Sequence, residues 1–336
     1  MLSNETINYN YLEQKTVGII GVSVKEGQDL HGPEEAPKLL RKSGLIDVVN
    51  SLDWHIVDYE DITTESLESL KLEEDNKKIY KYDYLKNSSL LGSVCQKIHE
   101  MTQKIAEKKQ FCLTLGGDHG IATGTISGLK SVYSDLKIIW VDAHADCNIP
   151  EESPSGNYHG MPVAHLLGWI GEGTVLGFDW FKPCINPDDI VYIGLRDLDK
   201  GEKYNLKKHG IKCFTMHDVD RFGIAGVMNQ TFEYFRKDRK DHPIHISFDI
   251  DSVDPTYAYG TGTKAKGGLL YREAHYLVRE VAASGNLVGL DMVEINPMLD
   301  IVSREVFHGD NKLIKGSETV TLGIELIASA LGDKLL

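Results

Sequence analysis

Short apolar runs alternate along the chain with longer segments in which apolar residues recur every three or four positions. The short runs, rich in β-branched and aromatic residues, predict strands at 17–22, 54–59, 111–115, 138–141, 190–195, 213–216, 244–248 and 287–293. The longer segments predict helices at 32–41, 91–108, 121–131, 163–169, 203–209, 224–236, 272–284 and 319–332. Because strands and helices alternate, the pattern predicts a parallel sheet with helices on both faces.

The predicted fold class is therefore α/β, a single domain with a central, mostly parallel β-sheet flanked by helices on both faces. We expect residues 1–15 to form an N-terminal extension and residues 16–336 to form the domain. The most polar stretch, 60–86, predicts a solvated excursion, and a domain boundary there is the alternative. No internal repeat stands out, which favours one domain.

Composition narrows the classes of function. The 336 residues include 36 Lys and Arg and 50 Asp and Glu, for a formal net charge of −14. This balance argues against nucleic acid as a partner, because binding to phosphates needs Lys and Arg. No apolar run approaches the roughly 18 residues that span a membrane, and the N-terminus lacks the apolar core of a secretory signal. The five scattered cysteines are typical of reduced thiols, so we expect a soluble, cytoplasmic protein without a membrane partner.

Side chains that can bind metal ions follow the predicted strand at 138–141. They are Asp142, His144 and Asp146, and their spacing of two puts all three on one side of an extended segment. Taken alone, this stretch also fits an acidic, solvated strand end. Cys147, directly after Asp146, is interpreted as a small residue that packs beside the site rather than a catalytic thiol.

Two further predicted strands end in the same way. The run 244–248 leads to Asp249 and Asp251, and the run 111–115 leads through a Gly-Gly turn to His119. Because the carboxyl ends of parallel strands line the ligand crevice of α/β folds, we expect these side chains to converge. The predicted set is His119, Asp142, His144, Asp146, Asp249 and Asp251.

This set of four carboxylates and two imidazoles suits Mn²⁺, Mg²⁺, Co²⁺ or Zn²⁺. Six ligands exceed what one catalytic ion with an open position needs, whereas two ions with shared carboxylates would use them all. Two such ions about 3.5–4 Å apart can share a hydroxide and activate it near neutral pH. Burying four carboxylates without cations would be very costly. The residues therefore predict a metal pair and a hydrolytic reaction.

The loop at 148–160 offers groups for a substrate. Its neutral donors, Asn148, Ser153, Ser155 and Asn157, suit a carboxylate, and His159 can titrate near neutrality and move protons. A lone loop histidine is usually a surface residue, but the nearby metal motif favours a catalytic one.

Two acidic positions suit the cationic head of a substrate. One is the group Asp197, Asp199 and Glu202, and the other is Glu294 at the end of a predicted strand. Taken alone, each is more often a solvated loop charge than a binding site.

On these residues the chain resembles the arginases of the ureohydrolase family, which also includes agmatinases and formiminoglutamases. The motifs that carry the resemblance are GGDHGIATG at 116–124, DAHAD at 142–146, SGNYHG at 155–160, IGLRDLDKGE at 193–202, SFDIDSVDP at 247–255, TGTKAKGGLLYRE at 261–273 and DMVEINP at 291–297. The resemblance implies a mostly parallel α/β fold and a site with two Mn²⁺ ions, for which Co²⁺ is a substitute. It also implies hydrolysis of L-arginine to L-ornithine and urea by a hydroxide that bridges the two ions.

The resemblance assigns metal ligands to matching positions. One ion would be surrounded by His119, Asp142, Asp146 and Asp249. The other would be surrounded by Asp142, His144, Asp249 and Asp251. Asp142 and Asp249 would thus bridge the ions, and Asp146 would also help to orient the hydroxide.

The same match implies roles around the substrate. His159 would shuttle protons and Glu294 would hold the guanidinium group. Asn148 and Ser155 would meet the α-carboxylate. The α-amino group would meet Asp199, with Asp197 and Glu202 nearby.

The loop also bears on the substrate within the family. Agmatine lacks the α-carboxylate, so an agmatinase has no need for Asn148 and Ser155 at these places. Their presence favours L-arginine over agmatine or another guanidino substrate. A non-catalytic protein of the same fold is the alternative of a different class, but its usual signature is the loss of metal ligands, and all six are present.

Several positions depart from the arginase pattern. Pro154 stands where threonine is typical, Lys264 stands where proline is common, and 257–260 replaces a smaller segment. The stretch 300–315 looks longer than usual, and Glu318 stands near the place where some trimeric arginases carry an interface arginine. We expect a homotrimer with altered contacts.

Overall fold

Strands and helices alternate in the computed structural model, which describes residues 7–59, 61–64, 79–300, 305–308, 312–315 and 317–333. The strands are β1 (Thr16–Ser23), β2 (His55–Asp58), β3 (Ile62–Thr63), β4 (Phe111–Leu115), β5 (Lys137–Val141), β6 (Ile190–Leu195), β7 (Lys212–Thr215), β8 (Ile244–Asp249), β9 (Leu287–Val293), β10 (Glu305–His308) and β11 (Lys312–Lys315). The α-helices are α1 (Ala36–Leu40), α2 (Ile46–Ser51), α3 (Ser88–Glu107), α4 (Ala122–Val132), α5 (Pro162–Leu166), α6 (Lys200–His209), α7 (Met216–Phe235), α8 (Tyr271–Ala283) and α9 (Glu318–Ala330).

Within the described residues, nine strands form one parallel sheet in the order β2-β1-β4-β9-β8-β5-β6-β7, with β3 also paired to β1. The four strands β4, β9, β8 and β5 are neighbours at its centre. Their ends are level, because Met292 pairs with both Leu115 and Phe248, and Phe248 also pairs with Val141. Whatever follows these strands therefore meets at one place, as predicted.

The central strands are buried on both faces, as the alternation of strands and helices predicts. In β5, Ile138 and Trp140 pack into the hydrophobic cluster on one face of the sheet, and Ile139 and Val141 pack into the cluster on the other. The predicted α/β class with a central parallel sheet is confirmed. The boundary at residue 16 stays a prediction.

The predicted and observed bounds differ most at two helices. The helix predicted to start in the segment 32–41 runs on through a π-helical segment into α2, because Gly44 adopts φ 103° and lets the helix kink instead of ending. The helix predicted from 224 begins at Met216, where the predicted strand had been extended by one residue too many. Thr215 caps this start by donating from its N–H and hydroxyl to Asp218 Oδ2, and the kink at Gly223 separates the two parts of α7.

The two polar segments are only partly described. Of the predicted excursion at 60–86, residues 60 and 65–78 lie outside the described residues, but β3 joins the sheet and Tyr82 and Leu85 are buried. Of the segment 300–315, the described part contains the antiparallel pair β10 and β11, which was not predicted. No helix among the described residues is long and apolar enough to cross a membrane.

Candidate active site

The imidazole Nδ1 of His119, in the turn after β4, faces three carboxylates. It lies 3.2 Å from Asp142 Oδ2, 3.1 Å from Asp146 Oδ2 and 3.2 Å from Asp249 Oδ2. All four side chains are buried, and Nδ1 has no hydrogen-bond partner with acceptable geometry. A buried, unpartnered nitrogen among three carboxylate oxygens is the donor arrangement of a metal site.

A second group of ligand atoms adjoins the first. His144 Nδ1 lies 3.4 Å from Asp142 Oδ1 and 3.1 Å from Asp251 Oδ2. Within each group the ligand atoms lie within 4.8 Å of one another, and Asp142 belongs to both groups. The six predicted ligands are thus brought together. Asp249 belongs to the first group, and its predicted role as a second bridge stays a prediction.

The spacing of two between the acids and their partners has a local cause. The N–H of His144 donates to Asp142 Oδ1 at 2.7 Å, and the N–H of Asp251 donates in the same way to Asp249 Oδ1 at 2.8 Å. Each strand therefore ends in a turn closed by its own carboxylate. These turns hold the other oxygen, Oδ2 of Asp142 and of Asp249, toward His119.

A cavity of about 280 Å³ opens over both groups. It is lined by His144, Asp146, Asn148, Ser153, Pro154, Ser155, His159, Gly160, Asp197, Asp199, Glu202, Asp249 and Thr263. Most of the predicted substrate residues therefore line the same cavity as three of the predicted metal ligands, His144, Asp146 and Asp249. Its polar lining offers both carboxylates for a cation and neutral donors for an anion.

The acidic wall of this cavity is tied together by hydrogen bonds. Asn148 Nδ2 donates to Asp199 Oδ2 at 3.0 Å, which joins the predicted α-carboxylate and α-amino positions. Asp197 Oδ2 lies 3.9 Å from His144 Nε2. Glu202 accepts from the N–H groups of Asp199 and Cys147 and is 3% exposed, so it anchors the wall, and burial raises its pKa to about 7.

His159 and Glu294 form a pair beside the first ligand group. His159 Nδ1 lies 3.0 Å from Glu294 Oε1, and the same oxygen accepts the N–H of His119 at 2.9 Å. Glu294 is buried with φ 59°, a left-handed conformation that a non-glycine residue rarely adopts, and it does not line the cavity. Burial lowers the pKa of His159, but the bond to Glu294 outweighs burial and raises the pKa to about 9.

Besides Glu294, a second predicted substrate residue, Asn157, lies outside the cavity lining. The Asn157 amide donates to Asp29 Oδ2 at 3.1 Å and accepts from Lys86 Nζ at 3.0 Å. Its side chain is therefore engaged by residues outside the cavity lining. A substrate contact of Asn157 stays a prediction that this arrangement does not support.

Comparison with known proteins agrees with this geometry. Residues 15–332 match the Arginase family. The chain belongs to the arginase family. It is 40% identical to the arginase of Plasmodium berghei over 349 residues, which cover 100% of this chain and 98% of that protein.

Solved arginases have the same fold. The arginase from Bacillus caldovelox superposes with a TM-score of 0.81 at 36% identity, over 96% of this chain and 100% of that chain. The arginase from Entamoeba histolytica, solved in complex with L-ornithine, gives a TM-score of 0.77 at 29% identity, over 96% and 100%. The arginase family implies a dinuclear metal site, and the two ligand groups around Asp142 fit one.

Electrostatics in this arginase-family site favour a bound cation. Burial raises the pKa of Asp146 to about 6, and the charge of Asp142 adds to that effect. Burial also raises the pKa of Asp249 and of Asp251. Because these carboxylates cannot all ionise together cheaply in a buried space, positive charge is needed to hold them as ligands.

A layer of supporting residues escaped the sequence interpretation. His119 Nε2 lies 2.9 Å from Ser247 Oγ, Ser247 bonds Asp291 Oδ2 at 3.4 Å, and His245 Nε2 lies 2.9 Å from the same oxygen. The signal was present, because His245, Ser247 and Asp249 alternate along β8 and so share one face. Two more contacts support Asp142 and Asp251: Trp140 Nε1 donates to Asp142 Oδ2 at 2.9 Å, and Thr263 Oγ1 donates to Asp251 Oδ2 at 2.8 Å.

Proposed function

We propose that the chain is an arginase that hydrolyses L-arginine to L-ornithine and urea. The observation that carries this proposal is the unpartnered Nδ1 of His119 among three carboxylates, two of which, Asp146 and Asp249, line a cavity that also presents Asn148, Ser155 and Asp199. Membership of the arginase family and 40% identity to a named arginase support it. The neutral donors beside Asp199 suit a substrate that carries both an α-carboxylate and an α-amino group.

We assign two Mn²⁺ ions to the site, with Co²⁺ as a substitute. The two ligand groups of the structure, with Asp142 in common, would hold them, and the hard oxygen and imidazole donors suit these metals. When bound, such ions supply Lewis acidity and lower the pKa of water toward neutrality. The protein fixes the positions of the ligand side chains, and the turns at Asp142 and Asp249 contribute to this.

His159 is assigned the delivery of a proton. Hydrolysis adds water to the guanidinium carbon, breaks the bond from that carbon to the ornithine nitrogen, and requires a proton on the leaving nitrogen. Because Nδ1 of His159 faces the Glu294 carboxylate, Nε2 is the atom available to exchange this proton. The raised pKa of His159 keeps the ring protonated at neutral pH. Asp146, which lines the cavity, is assigned the orientation of the attacking water.

The α-carboxylate and α-amino end of the substrate is assigned to the cavity lining, and the guanidinium end is assigned to Glu294, which is buried and does not line the cavity. Glu294 would hold the guanidinium group through Oε2, since Oε1 takes both of its bonds described above. Asn148 and Ser155 would bind the α-carboxylate, and Asp199 would bind the α-amino group with Asp197 and Glu202 nearby. This polarity favours L-arginine over agmatine, for which Asn148 and Ser155 would have no counterpart.

We further propose one catalytic domain over residues 16–336, a homotrimer and a cytoplasmic location. The resemblance to trimeric arginases supports the trimer, and the unpaired cysteines support a reducing compartment. The mass of the purified protein, measured by light scattering, would test the trimer. Cell fractionation would test the cytoplasmic location.

The test of the function is release of urea from L-arginine, with agmatine in parallel, after incubation with Mn²⁺ and again after chelation. Metal-dependent release from L-arginine alone supports the proposal. Release from agmatine instead would mean that the interpretation of Asn148 and Ser155 is wrong. Absence of urea from either substrate with metal bound would reject hydrolysis of both.

A further inference from the structure

The loop that carries the neutral donors of the cavity, residues 149–157 (the cavity loop), has few backbone contacts with the rest of the protein. Among the described residues, the backbone hydrogen bonds from 149 to 156 stay inside the loop, from Glu152 and Ser153 to the carbonyl of Ile149. The hydroxyls of Ser153 and Ser155 likewise accept N–H groups of the loop itself, those of Gly156 and Asn157. Side chains must therefore fix where this loop stands.

The first side-chain tie joins Glu151 to Tyr82. The hydroxyl of Tyr82 donates to Glu151 Oε1 at 2.7 Å, and Lys81 Nζ lies 2.6 Å from the same oxygen. Tyr82 is buried, and its N–H donates to the carbonyl of Thr174, so its ring is held by the body of the protein. The exposed Glu151 is thus anchored by a rigid partner. Burial raises the pKa of Glu151, but the bonds from Lys81 and Tyr82 outweigh burial and lower the pKa.

The second tie joins the end of the loop to Lys86. Lys86 Nζ donates to Asn157 Oδ1 at 3.0 Å and to both oxygens of Asp29 at 3.0 Å, and Asn157 Nδ2 donates to Asp29 Oδ2 at 3.1 Å. The three side chains therefore form a closed ring of hydrogen bonds. A third contact, from Asn205 Nδ2 to Glu152 Oε2 at 3.2 Å, comes from α6.

We propose that Tyr82 and Lys86, from the segment before α3, are positioning residues that set the affinity of the cavity for the α-carboxylate end of its substrate. Neither residue lines the cavity, and both act through the loop that carries Ser153 and Ser155. The guanidinium end is bounded by β-strand ends that do not depend on these ties. The inference rests on the proposed function, because it takes L-arginine as the substrate.

The predicted signature is a change in KM without a change in kcat. Tyr82→Phe removes the hydroxyl bond to Glu151 but leaves its ion pair with Lys81, and Lys86→Met removes the bonds of the ammonium to Asn157 and Asp29. Each change loosens the loop without releasing it, so KM for L-arginine should rise about threefold to tenfold. The value of kcat should stay within about twofold, because the metal ligands are untouched. Agmatine, which lacks the α-carboxylate, should compete with L-arginine at an unchanged inhibition constant.

Matched variants separate positioning from a general loss of structure. Tyr80→Phe removes a similar exposed hydroxyl bond, from Tyr80 to Asp179, and should leave KM unchanged. Glu151→Gln keeps an acceptor for Tyr82 and should retain most of the affinity, whereas Glu151→Leu, which also removes the ion pair with Lys81, should raise KM at least as much as Tyr82→Phe. Combining Tyr82→Phe with Glu151→Leu should raise KM no further than Glu151→Leu alone.

Binding of L-ornithine by titration calorimetry gives a readout that does not need turnover. The dissociation constant of L-ornithine should rise in Tyr82→Phe and Lys86→Met by the same factor as KM. Unchanged values of both KM and this constant, or an equal rise in Tyr80→Phe, would overturn the proposal. If wild-type protein releases no urea from L-arginine, the proposed function fails, while weaker L-ornithine binding in the variants would still support the positioning role.

Discussion

Ser247 Oγ lies 2.9 Å from His119 Nε2 and links this histidine to the buried carboxylate of Asp291. Because Asp291 also lies within hydrogen-bond distance of His245 and Thr125, it acts as the acceptor at the end of the chain. The Ser247 hydroxyl therefore donates to Asp291 and accepts from Nε2–H of His119. This arrangement leaves Nδ1 with a free lone pair toward the three carboxylates, as a metal ligand requires.

Ser247→Ala should weaken metal binding without removing a ligand. Losing the acceptor frees the His119 ring to rotate and to change tautomer, so we expect metal affinity to fall about 10-fold to 100-fold. Competition for Mn²⁺ with a chelator of known affinity measures this change. Ser284→Ala, which removes a hydroxyl bonded to Val281 in the turn after α8, is the control and should bind metal as wild type does. Equal affinity in Ser247→Ala and wild type would show that the ring is held by its neighbours alone.

His159→Gln should reduce kcat far more than it raises KM. The substitution removes the group assigned to proton delivery but keeps a donor near Glu294, so we expect kcat to fall about 10²-fold to 10⁴-fold. Steady-state kinetics with L-arginine at saturating Mn²⁺ measures the split between kcat and KM. His99→Gln, at a partly buried histidine bonded to Ser127 outside the cavity lining, is the matched control. A rise in KM alone would reassign His159 to substrate binding.

Asn148→Asp should reverse the preference for a substrate with an α-carboxylate. The new carboxylate would stand about 3 Å from Asp199 Oδ2, where Asn148 now donates, and would repel the α-carboxylate. We expect kcat/KM for L-arginine to fall at least about 100-fold, since like charges in contact cost several kcal/mol. The loss for agmatine should be much smaller, and the ratio of the two rates is the quantity to measure. Asp135→Asn, at the surface beside His242, changes the net charge by one unit in the opposite direction and should leave the ratio of the two rates unchanged. Parallel losses on both substrates would place Asn148 away from the α-carboxylate.

Local sequence signals were enough to predict the fold and the six side chains that the structure brings together as candidate metal ligands. The strands of the central sheet are short, β-rich segments, and the predicted metal ligands stand at or just after the ends of three of them, as at Asp142 and Asp249. The parallel arrangement then brings separate stretches to one edge without any knowledge of contacts. Glu202, which was named as a candidate, also has a local signal. Asp199 and Glu202 are three positions apart at the start of a helix and form a capping box.

Contacts between distant segments could not be predicted in this way. Asn157 was expected to face the substrate because it lies beside the metal motif, but Asp29, 128 positions away, and Lys86, 71 positions away, take its amide. The bond from Tyr82 to Glu151 likewise joins residues 69 positions apart, and nothing in either neighbourhood predicts it. A donor in a loop is available to a substrate only if it is not already hydrogen-bonded to a distant part of the protein.

His165 should make the stability of the protein depend on pH below neutrality. It is 1% exposed, packs against Phe178 and Phe181, and bonds Tyr158 at 2.7 Å, so burial lowers its pKa to about 3. The unfolded chain binds a proton at His165 near pH 6.5, and the folded chain does not until about pH 3. Between these values the free energy of unfolding therefore decreases as the pH is lowered. The slope is about 1.4 kcal/mol per pH unit, or roughly 2 kcal/mol from pH 6.5 to pH 5. His165→Gln should remove this part of the slope, whereas His217→Gln, at an exposed histidine, should not. Urea unfolding of the three proteins from pH 5 to pH 7.5 decides the matter, and equal slopes in wild type and His165→Gln would show that the folded protein accepts the proton.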